Sequence, residues 1–300
     1  MSDIILHIGS EKTGSTALQH FLSKNHKQLS RDGFYYPCAR DELIYSSGRR
    51  GHFPLVASFF LDLPDFVSRK EHYDNGTMMS QLRRIAESED RRIILSCEHF
   101  SSRLSSHHID VLADTLRSHN VRVLFYMRPQ QDLFWSSYST AVINGRRERL
   151  NYGSLSTDDP YLNYYKLLEP WANSFGSENI IVRNYSNLLK GDIVDDFMSS
   201  IGIDDISLYT RQGSRNRAMS PEEVEFIRLI NAYLPSYEEA GGFWHSYFVL
   251  FRRYIRHASI LLGKDKALKS KIERGEAFDI FIESNSKTIN KYKSSLFDSF

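Results

Sequence analysis

The chain has 300 residues, of which 41% are hydrophobic and 25% charged, and its formal net charge is +1. This length and composition allow a large buried core, and α/β units of this size commonly form one domain, so we expect a single domain over 1–300. The near-neutral charge argues against a dedicated nucleic-acid-binding protein, which would carry a strong basic excess. Two cysteines supply neither a disulfide framework nor a metal-ligand spacing, which fits a reducing compartment.

The N-terminal segment enters an apolar strand without a basic segment or an apolar signal core before it. No later stretch reaches the length of a membrane span. We therefore expect a cytoplasmic protein without a membrane anchor.

The first predicted elements are a strand over about 3–8 and a helix over about 14–29, joined by a short glycine-bounded loop. Gly9 and Gly14 have the separation of a Walker phosphate loop, but Ser15 stands where that motif needs its lysine. The lysine lies inside the loop instead, at Lys12, so a nucleoside triphosphatase is disfavoured. Backbone N–H groups at the start of the helix are still expected to bind an anion, since the positive end of the helix dipole lies behind them.

The run Lys12-Thr13-Gly14-Ser15-Thr16 resembles the 5′-phosphosulfate-binding loop of sulfotransferases that use 3′-phosphoadenosine 5′-phosphosulfate (PAPS). The resemblance implies that Lys12 contacts the bridging oxygen of the transferring group. It also implies that the rest of the run binds the cofactor, with Ser15 and Thr16 on the 5′-phosphate. Sulfuryl transfer of this kind needs cations and N–H donors but no metal.

The segment between Tyr35 and Ile85 matches the family only loosely, apart from a helical pattern over about 75–88. Acceptor-binding elements usually lie in this part of such enzymes, so His52 is a candidate for substrate contact or proton transfer. A single histidine in a loop more often has neither role.

A buried strand predicted over about 92–96 delivers Glu98 and His99 at its end. In cytosolic sulfotransferases a histidine follows the equivalent strand, whereas heparan-type enzymes use a glutamate placed elsewhere. Successive side chains on an extended segment point to opposite sides, so we expect one of the two to enter the cleft. We place Glu98 first as the general base and keep His99 open, while a glutamate here could instead pair with an arginine.

After a helical pattern over about 105–118, a strand over about 121–127 runs into Arg128 and a helix over about 129–145. This arrangement resembles the 3′-phosphate-binding motif of the same family, in which an arginine and a serine bind one phosphate. Eight helical positions leave Ser136 about 80° around the helix from Arg128, which favours a shared phosphate. The alternative is a solvated Arg128 before a helix opened by Pro129.

A third resemblance follows a strand over about 179–183, where Tyr185 precedes a helical pattern over about 186–201. In the family this tyrosine approaches the adenine-nucleotide site, although packing at a strand end remains the alternative. Many members then bring a basic loop over the 3′-phosphate, and the residues available here are Arg211, Arg215, Asn216 and Arg217. We choose Arg215 for cofactor binding and leave open which arginine has that role.

The C-terminal part begins with Ser220 and Pro221, which predict the start of a helix. Aromatic-rich helical patterns follow over about 242–262 and 277–292, and a stripe that includes Leu250 and Tyr254 is expected to be core. We interpret 216–300 as a helical cover on a PAPS-binding core of 1–215, within the same domain.

Strands that alternate with helices predict right-handed crossovers and a parallel sheet. The expected fold class is therefore α/β, a three-layer sandwich with a central parallel sheet. The resemblance narrows it to the P-loop NTPase-like sulfotransferase fold with a helical C-terminal cover. Because ligands bind outside the carboxyl ends of such strands, residues 9–16, residues 97–99, Arg128 and Tyr185 should gather at one edge of the sheet.

The expected activity is transfer of the sulfuryl group from PAPS to an acceptor hydroxyl, which leaves adenosine 3′,5′-bisphosphate (PAP). The Lys-Thr-Gly-Ser-Thr form of the loop favours a carbohydrate or glycolipid acceptor over a steroid or phenol. A P-loop kinase-like phosphotransferase is the main alternative, but the P-loop lysine and a metal-holding aspartate at a strand end are missing. A catalytically inactive nucleotide-binding protein on the same fold is the second alternative. We expect no nucleic-acid partner, and the oligomeric state is left open.

Overall fold

The computed structural model describes residues 1–38, 44–45, 51–60, 73–188, 192–211, 219–234, 250–251, 254 and 276–292. The chain divides into two compact units. The first consists of Met1–Pro129, Thr157–Gly213 and Phe281–Phe300, and the second of Gln130–Ser156 and Ser214–Ile280. The single domain over 1–300 stays a prediction.

The first unit is built on a parallel sheet of five strands in the order β2-β3-β1-β4-β5. The strands are β1 (Asp3–Gly9), β2 (Phe34–Tyr35), β3 (Arg92–Ser96), β4 (Asn120–Met127) and β5 (Ile180–Asn184). This confirms the α/β class, the parallel sheet and four of the strands; the two-residue edge strand β2 is too short to leave a pattern. The chain passes from one side of β1 to the other between β3 and β4, so the carboxyl end of β1 lies at the switch point where such sheets bind ligands.

Eleven α-helices lie within the described residues. They are α1 (Ser15–Lys24), α2 (His26–Arg31), α3 (Phe53–Ala57), α4 (Asn75–Ser88), α5 (His99–Arg103), α6 (Ser106–Leu116), α7 (Gln130–Ile143), α8 (Tyr164–Phe175), α9 (Ile193–Ser200), α10 (Pro221–Asn231) and α11 (Ile282–Lys291). The helices α7 and α10 belong to the second unit. None of the described helices is long and apolar enough to cross a membrane.

Helices cover both faces of the sheet, as β4 shows most directly. Leu124 and Tyr126 share a buried cluster with Leu22 of α1 and Phe197 of α9. Phe125, between them in sequence, contacts Tyr164 of α8, with ring centroids 5.3 Å apart. Because neighbouring residues of a strand point to opposite faces, α1 and α9 lie on one face and α8 on the other, which confirms the three layers.

Some helix boundaries differ from the sequence-based prediction. The pattern over 14–29 forms two helices that meet at Asn25, whose amide donates to the Phe21 carbonyl at 2.9 Å and accepts from the Thr210 N–H at 2.8 Å. The pattern over 186–201 becomes α-helical only at Ile193, because Asp192 caps the helix there by accepting from the Val194 N–H. The helix α8 was not predicted; it carries Pro170, normally a stop signal.

In the second unit, α7 and α10 share a small core of Tyr138, Val142, Val224 and Ile227. Helix α10 begins with the predicted cap: Ser220 accepts from the Glu223 N–H, and the Glu223 carboxylate accepts from the Ser220 N–H. Leu250 and Tyr254 are 63% and 73% exposed, so the expectation that they belong to the core is wrong. The other members of that stripe lie outside the described residues.

Candidate anion-binding site

The loop between β1 and α1 has a backbone that L-amino acids rarely adopt. Gly9, Lys12 and Gly14 have φ angles of 100°, 62° and 83°, and Lys12 is the one non-glycine residue with positive φ in the described part of the chain. A left-handed lysine costs about 1–2 kcal/mol, so the surrounding contacts must hold it. One such contact follows directly, since the Thr13 hydroxyl donates to the Ser10 carbonyl at 2.7 Å.

The start of α1 leaves backbone donors open. No side chain caps the helix at Gly14, and the described residues supply no acceptor for the N–H groups of Gly14, Ser15 and Thr16. The side chain of Ser15 is buried, whereas Thr16 is exposed. Open N–H groups at the positive end of a ten-residue helix are the standard backbone arrangement for binding phosphate or a similar anion.

Arg128, directly after β4, reaches this loop. Its Nη1 donates to the Lys12 carbonyl, and its guanidinium lies 5.3 Å from the centre of the Tyr185 ring. The Tyr164 hydroxyl donates to the Arg128 carbonyl at 2.5 Å, which fixes the backbone at the strand end. The Nε atom of Arg128 is buried and has no hydrogen-bond partner among the described residues. The structure thus joins Lys12, Arg128 and Tyr185, as predicted, and the described residues supply no acceptor for the Nε–H donor of Arg128.

Glu98 and His99 both face the loop, for a reason that the sequence did not reveal. Glu98 has helical backbone angles (φ −65°, ψ −22°) and is the N-cap of α5, so the expectation of an extended segment is wrong. The Glu98 carboxylate accepts from Gln19 Nε2 at 2.7 Å. A Cβ built on Gly9 would lie 2.9 Å from Glu98 Cα, so the end of β1 and the start of α5 approach each other closely.

Glu11, also in the loop, contacts four side chains from outside it, and sequence reasoning missed it. Its Oε1 lies 3.3 Å from His99 Nδ1 and accepts from the Ser102 hydroxyl at 2.6 Å, while its Oε2 accepts from the Tyr161 hydroxyl at 3.2 Å. Arg103 Nη2 lies 3.9 Å from Oε1. Burial alone would raise the pKa of Glu11, but the hydrogen bonds from His99 and Ser102, with the charges of His99 and Arg103, lower it to about 2.

The ammonium group of Lys12 is electrostatically coupled to the same residues. Burial lowers its pKa from the ordinary value, and the positive charge of Arg128 acts in the same direction. The carboxylates of Glu11 and Glu98 oppose this change and favour the charged form. Two carboxylates thus balance two cations around the loop.

His52 has a different setting from the one predicted. Its ring is buried, its Nδ1 accepts from the Ser96 N–H at 3.0 Å, and its Nε2 donates to the Pro37 carbonyl at 2.9 Å. Burial is the main reason that its pKa falls to about 4, although both backbone contacts act to raise it. Because both ring nitrogens bind backbone groups, His52 holds β3 to residue 37 and has no nitrogen open to a substrate.

Ser136 lies on α7 in the second unit, where its carbonyl accepts from the Thr140 hydroxyl at 3.0 Å. Helix α7 begins at Gln130, so the projection of 80° around a helix from Arg128 is wrong, because Arg128 precedes the helix. Arg211 pairs with the carboxylates of Asp192 and Asp195 at the start of α9. The other basic-loop candidates, Arg215, Asn216 and Arg217, lie outside the described residues.

No model of a known protein family matches the chain, and neither does any curated protein. Among solved structures, the chain is similar to a sulfotransferase from Alicyclobacillus acidocaldarius, with 15% sequence identity and a TM-score of 0.44. The match covers 78% of this chain and 93% of that chain.

Proposed function

We propose that this protein is a sulfotransferase that moves the sulfuryl group of PAPS to an acceptor hydroxyl. The observation that carries the proposal is that two cationic residues meet at the open N-terminus of α1. Arg128 Nη1 donates to the backbone carbonyl of Lys12, whose backbone is left-handed. A nucleotide with phosphates at both the 5′ and 3′ positions matches such a site, because it offers two separate anions. A carbohydrate or glycolipid hydroxyl is the proposed acceptor, on the form of the loop sequence.

The residues present fit the sulfuryl donor. The open N–H groups of residues 14–16 and the hydroxyls of Ser15 and Thr16 would bind the 5′-phosphate. The Nε of Arg128, which has no hydrogen-bond partner among the residues that the structure describes, suits the 3′-phosphate. Tyr185, which packs on Arg128, would contact the adenine nucleotide. Ser136 and Arg215 stay proposed contacts of the 3′-phosphate on the family resemblance alone.

As the donor substrate, PAPS would supply the sulfuryl group, and its phosphate would be the leaving group. The ammonium of Lys12 would stabilise the negative charge that develops on the bridging oxygen, an interaction that strengthens in the transition state. Glu11 and Glu98 favour the charged form of Lys12 despite its burial. Glu98 and His99 are the two candidates for the base that takes the proton of the acceptor hydroxyl.

A calorimetric titration with PAP and with AMP, both in EDTA, tests the proposal. We expect PAP to bind at least about tenfold more tightly than AMP, because the extra phosphate gains a charge-assisted contact. Arg128→Ala should weaken PAP binding by roughly 1.5–3 kcal/mol and change AMP binding little. The exposed arginine after α6 supplies a matched control, Arg117→Ala, which should leave both affinities unchanged. Equal affinities for the two nucleotides, or a need for magnesium, would refute the assignment.

Turnover is tested separately with labelled PAPS and a panel of acceptors. Transfer of label to a saccharide or glycolipid hydroxyl supports the proposed acceptor class. Transfer to phenols or steroids alone would support the sulfotransferase assignment and exclude a carbohydrate or glycolipid acceptor.

A further inference from the structure

Glu11 lies beside Lys12 in the loop, but its carboxylate is turned to α5. Its donors are His99 and Ser102 on α5 and Tyr161 before α8. An ionised carboxylate can only accept hydrogen bonds, and the pKa of about 2 keeps Glu11 ionised near neutral pH. In the 3.3 Å contact with Glu11, therefore, the Nδ1 atom of His99 carries the hydrogen.

A neutral imidazole has one protonated and one unprotonated nitrogen. With the hydrogen on Nδ1, the Nε2 atom of His99 keeps its lone pair and can take a proton. The ring orientation is further restrained by Phe53, whose ring meets that of His99 edge to face with centroids 5.6 Å apart. Glu11 thus selects both the tautomer and the direction of the ring.

The same carboxylate also restrains the loop backbone. Lys12 follows Glu11 directly and has the unfavourable φ of 62°. Three donors from outside the loop hold Glu11 on one side of Lys12, and the hydroxyl of Thr13 binds Ser10 on the other. Release of Glu11 would remove an anchor of the left-handed turn that presents the lysine.

We infer that Glu11 is a positioning residue that holds His99 in the Nδ1–H tautomer as the base and ties α5 to the loop that carries Lys12. This rests on the proposed sulfotransferase function. The acceptor oxygen bonds to sulfur as its proton passes to His99 Nε2. The bond from sulfur to the bridging oxygen breaks, and its electron pair leaves with PAP, where Lys12 meets the charge. Glu11 keeps its own charge and stabilises the imidazolium.

Nitrogen-15 NMR of the histidine-labelled full chain tests the inference without turnover. The two ring nitrogens of a neutral histidine have different shifts, and the His99 signals are identified by their loss in His99→Gln. We expect the wild-type protein to show the Nδ1–H tautomer at His99 near neutral pH. In Glu11→Gln we expect the tautomer population to move to Nε2–H and kcat to fall about 10- to 100-fold, while PAP affinity changes less than about threefold.

Glu283→Gln is the matched control, since it makes the same change in the exposed ion pair with Lys287. It should change neither the His99 signals nor kcat. An Nε2–H tautomer at His99 in the wild type would overturn the inference, even if Glu11→Gln fails to fold. An unchanged tautomer in folded Glu11→Gln would overturn it as well.

The two proposals can fail separately. Tight binding of PAP with the wrong His99 tautomer would refute the role of Glu11 and keep the sulfotransferase. The expected tautomer in a protein that does not bind PAP would refute the sulfotransferase and leave the Glu11–His99 pair as a structural contact.

Discussion

The strained residue of the loop is also the proposed catalytic cation. At φ 62°, Lys12 has a conformation that glycine adopts freely and that any residue with a Cβ adopts at a cost. For stability alone, glycine would be the better residue at this position. The proposed role of its ammonium in stabilising the leaving group would account for a lysine at this point of the backbone.

Lys12→Gly and Lys12→Ala separate the strain from the charge. Both variants lose the ammonium and should lose turnover to a similar extent. Lys12→Gly should be more stable than Lys12→Ala by about 1 kcal/mol, because only alanine keeps the Cβ that makes the left-handed turn unfavourable. Urea unfolding of the two variants measures the difference. Equal stabilities would show that the turn is not strained in solution.

The choice of base is tested by two isosteric changes. His99→Gln should lower turnover by roughly 10²-fold or more with PAP binding intact, because glutamine cannot take the proton. Glu98→Gln should cost less, since the Glu98 carboxylate is bound to Gln19. The reverse ranking in kcat, in two folded variants that bind PAP, would make Glu98 the base, as the sequence-based prediction had placed it.

At this scale the sequence predicted residues that stand in motifs and missed those defined by contacts across the fold. The sequence singled out Lys12 and Arg128 because they stand in a loop motif and at a strand end, and the structure brings the two into contact. Glu11 was missed because its partners lie 88, 91 and 150 residues away, and no local pattern links them. His52 was singled out as a loop histidine, whereas its role is to satisfy two buried backbone groups.

At the scale of elements, the relation between β1 and α5 decides how the site is built. The two meet where Gly9 passes Glu98, with no room for a side chain on Gly9. The sequence predicted β1 and β3 correctly, since both are apolar runs bounded by turns. It did not predict α5, because a five-residue helix is too short to show a helical period.

Gly9→Ala and Gly33→Ala test this contact between elements. Both glycines have positive φ, 100° and 83°, so both variants introduce backbone strain. A Cβ at Gly33 would meet nothing within 4 Å, whereas one at Gly9 would lie 2.9 Å from Glu98 Cα. Gly33→Ala should therefore cost about 1 kcal/mol, and Gly9→Ala should cost at least about 1–3 kcal/mol more and sharply lower turnover. Equal losses in the two variants would mean that the contact with α5 does not constrain the loop.

At the scale of the whole chain, two buried histidines should determine how the protein responds to mild acid. Burial lowers the pKa of His7 to about 3 and is the main cause that lowers that of His52 to about 4. In the unfolded chain these two histidines have the ordinary pKa of 6.5 and bind protons as the pH falls below it. In the folded protein both rings are still neutral at that pH. The unfolded state thus gains protons first, and stability present above about pH 6.5 is lost as the pH falls.

We expect each of these histidines to lower the free energy of unfolding by about 2 kcal/mol between about pH 7 and pH 5. Urea unfolding across this interval measures the loss. The lowered pKa of Glu11 changes the free energy of unfolding only below about pH 4.5, its ordinary pKa. The loss of stability between about pH 7 and pH 5 therefore reports on histidines. A free energy of unfolding that stays constant down to about pH 5 would contradict the burial of these two rings.

The anchoring of Glu11 has a consequence for protein engineering. A designer who transplanted the segment from β1 to α1 into another scaffold would carry over Lys12, both glycines and the open helix start. The graft would lack the donors of Glu11, since His99, Ser102 and Tyr161 come from distant parts of the chain. Transfer of residues 12–16 alone would therefore not reproduce the loop, and the smallest piece to transfer includes α5 and the segment before α8.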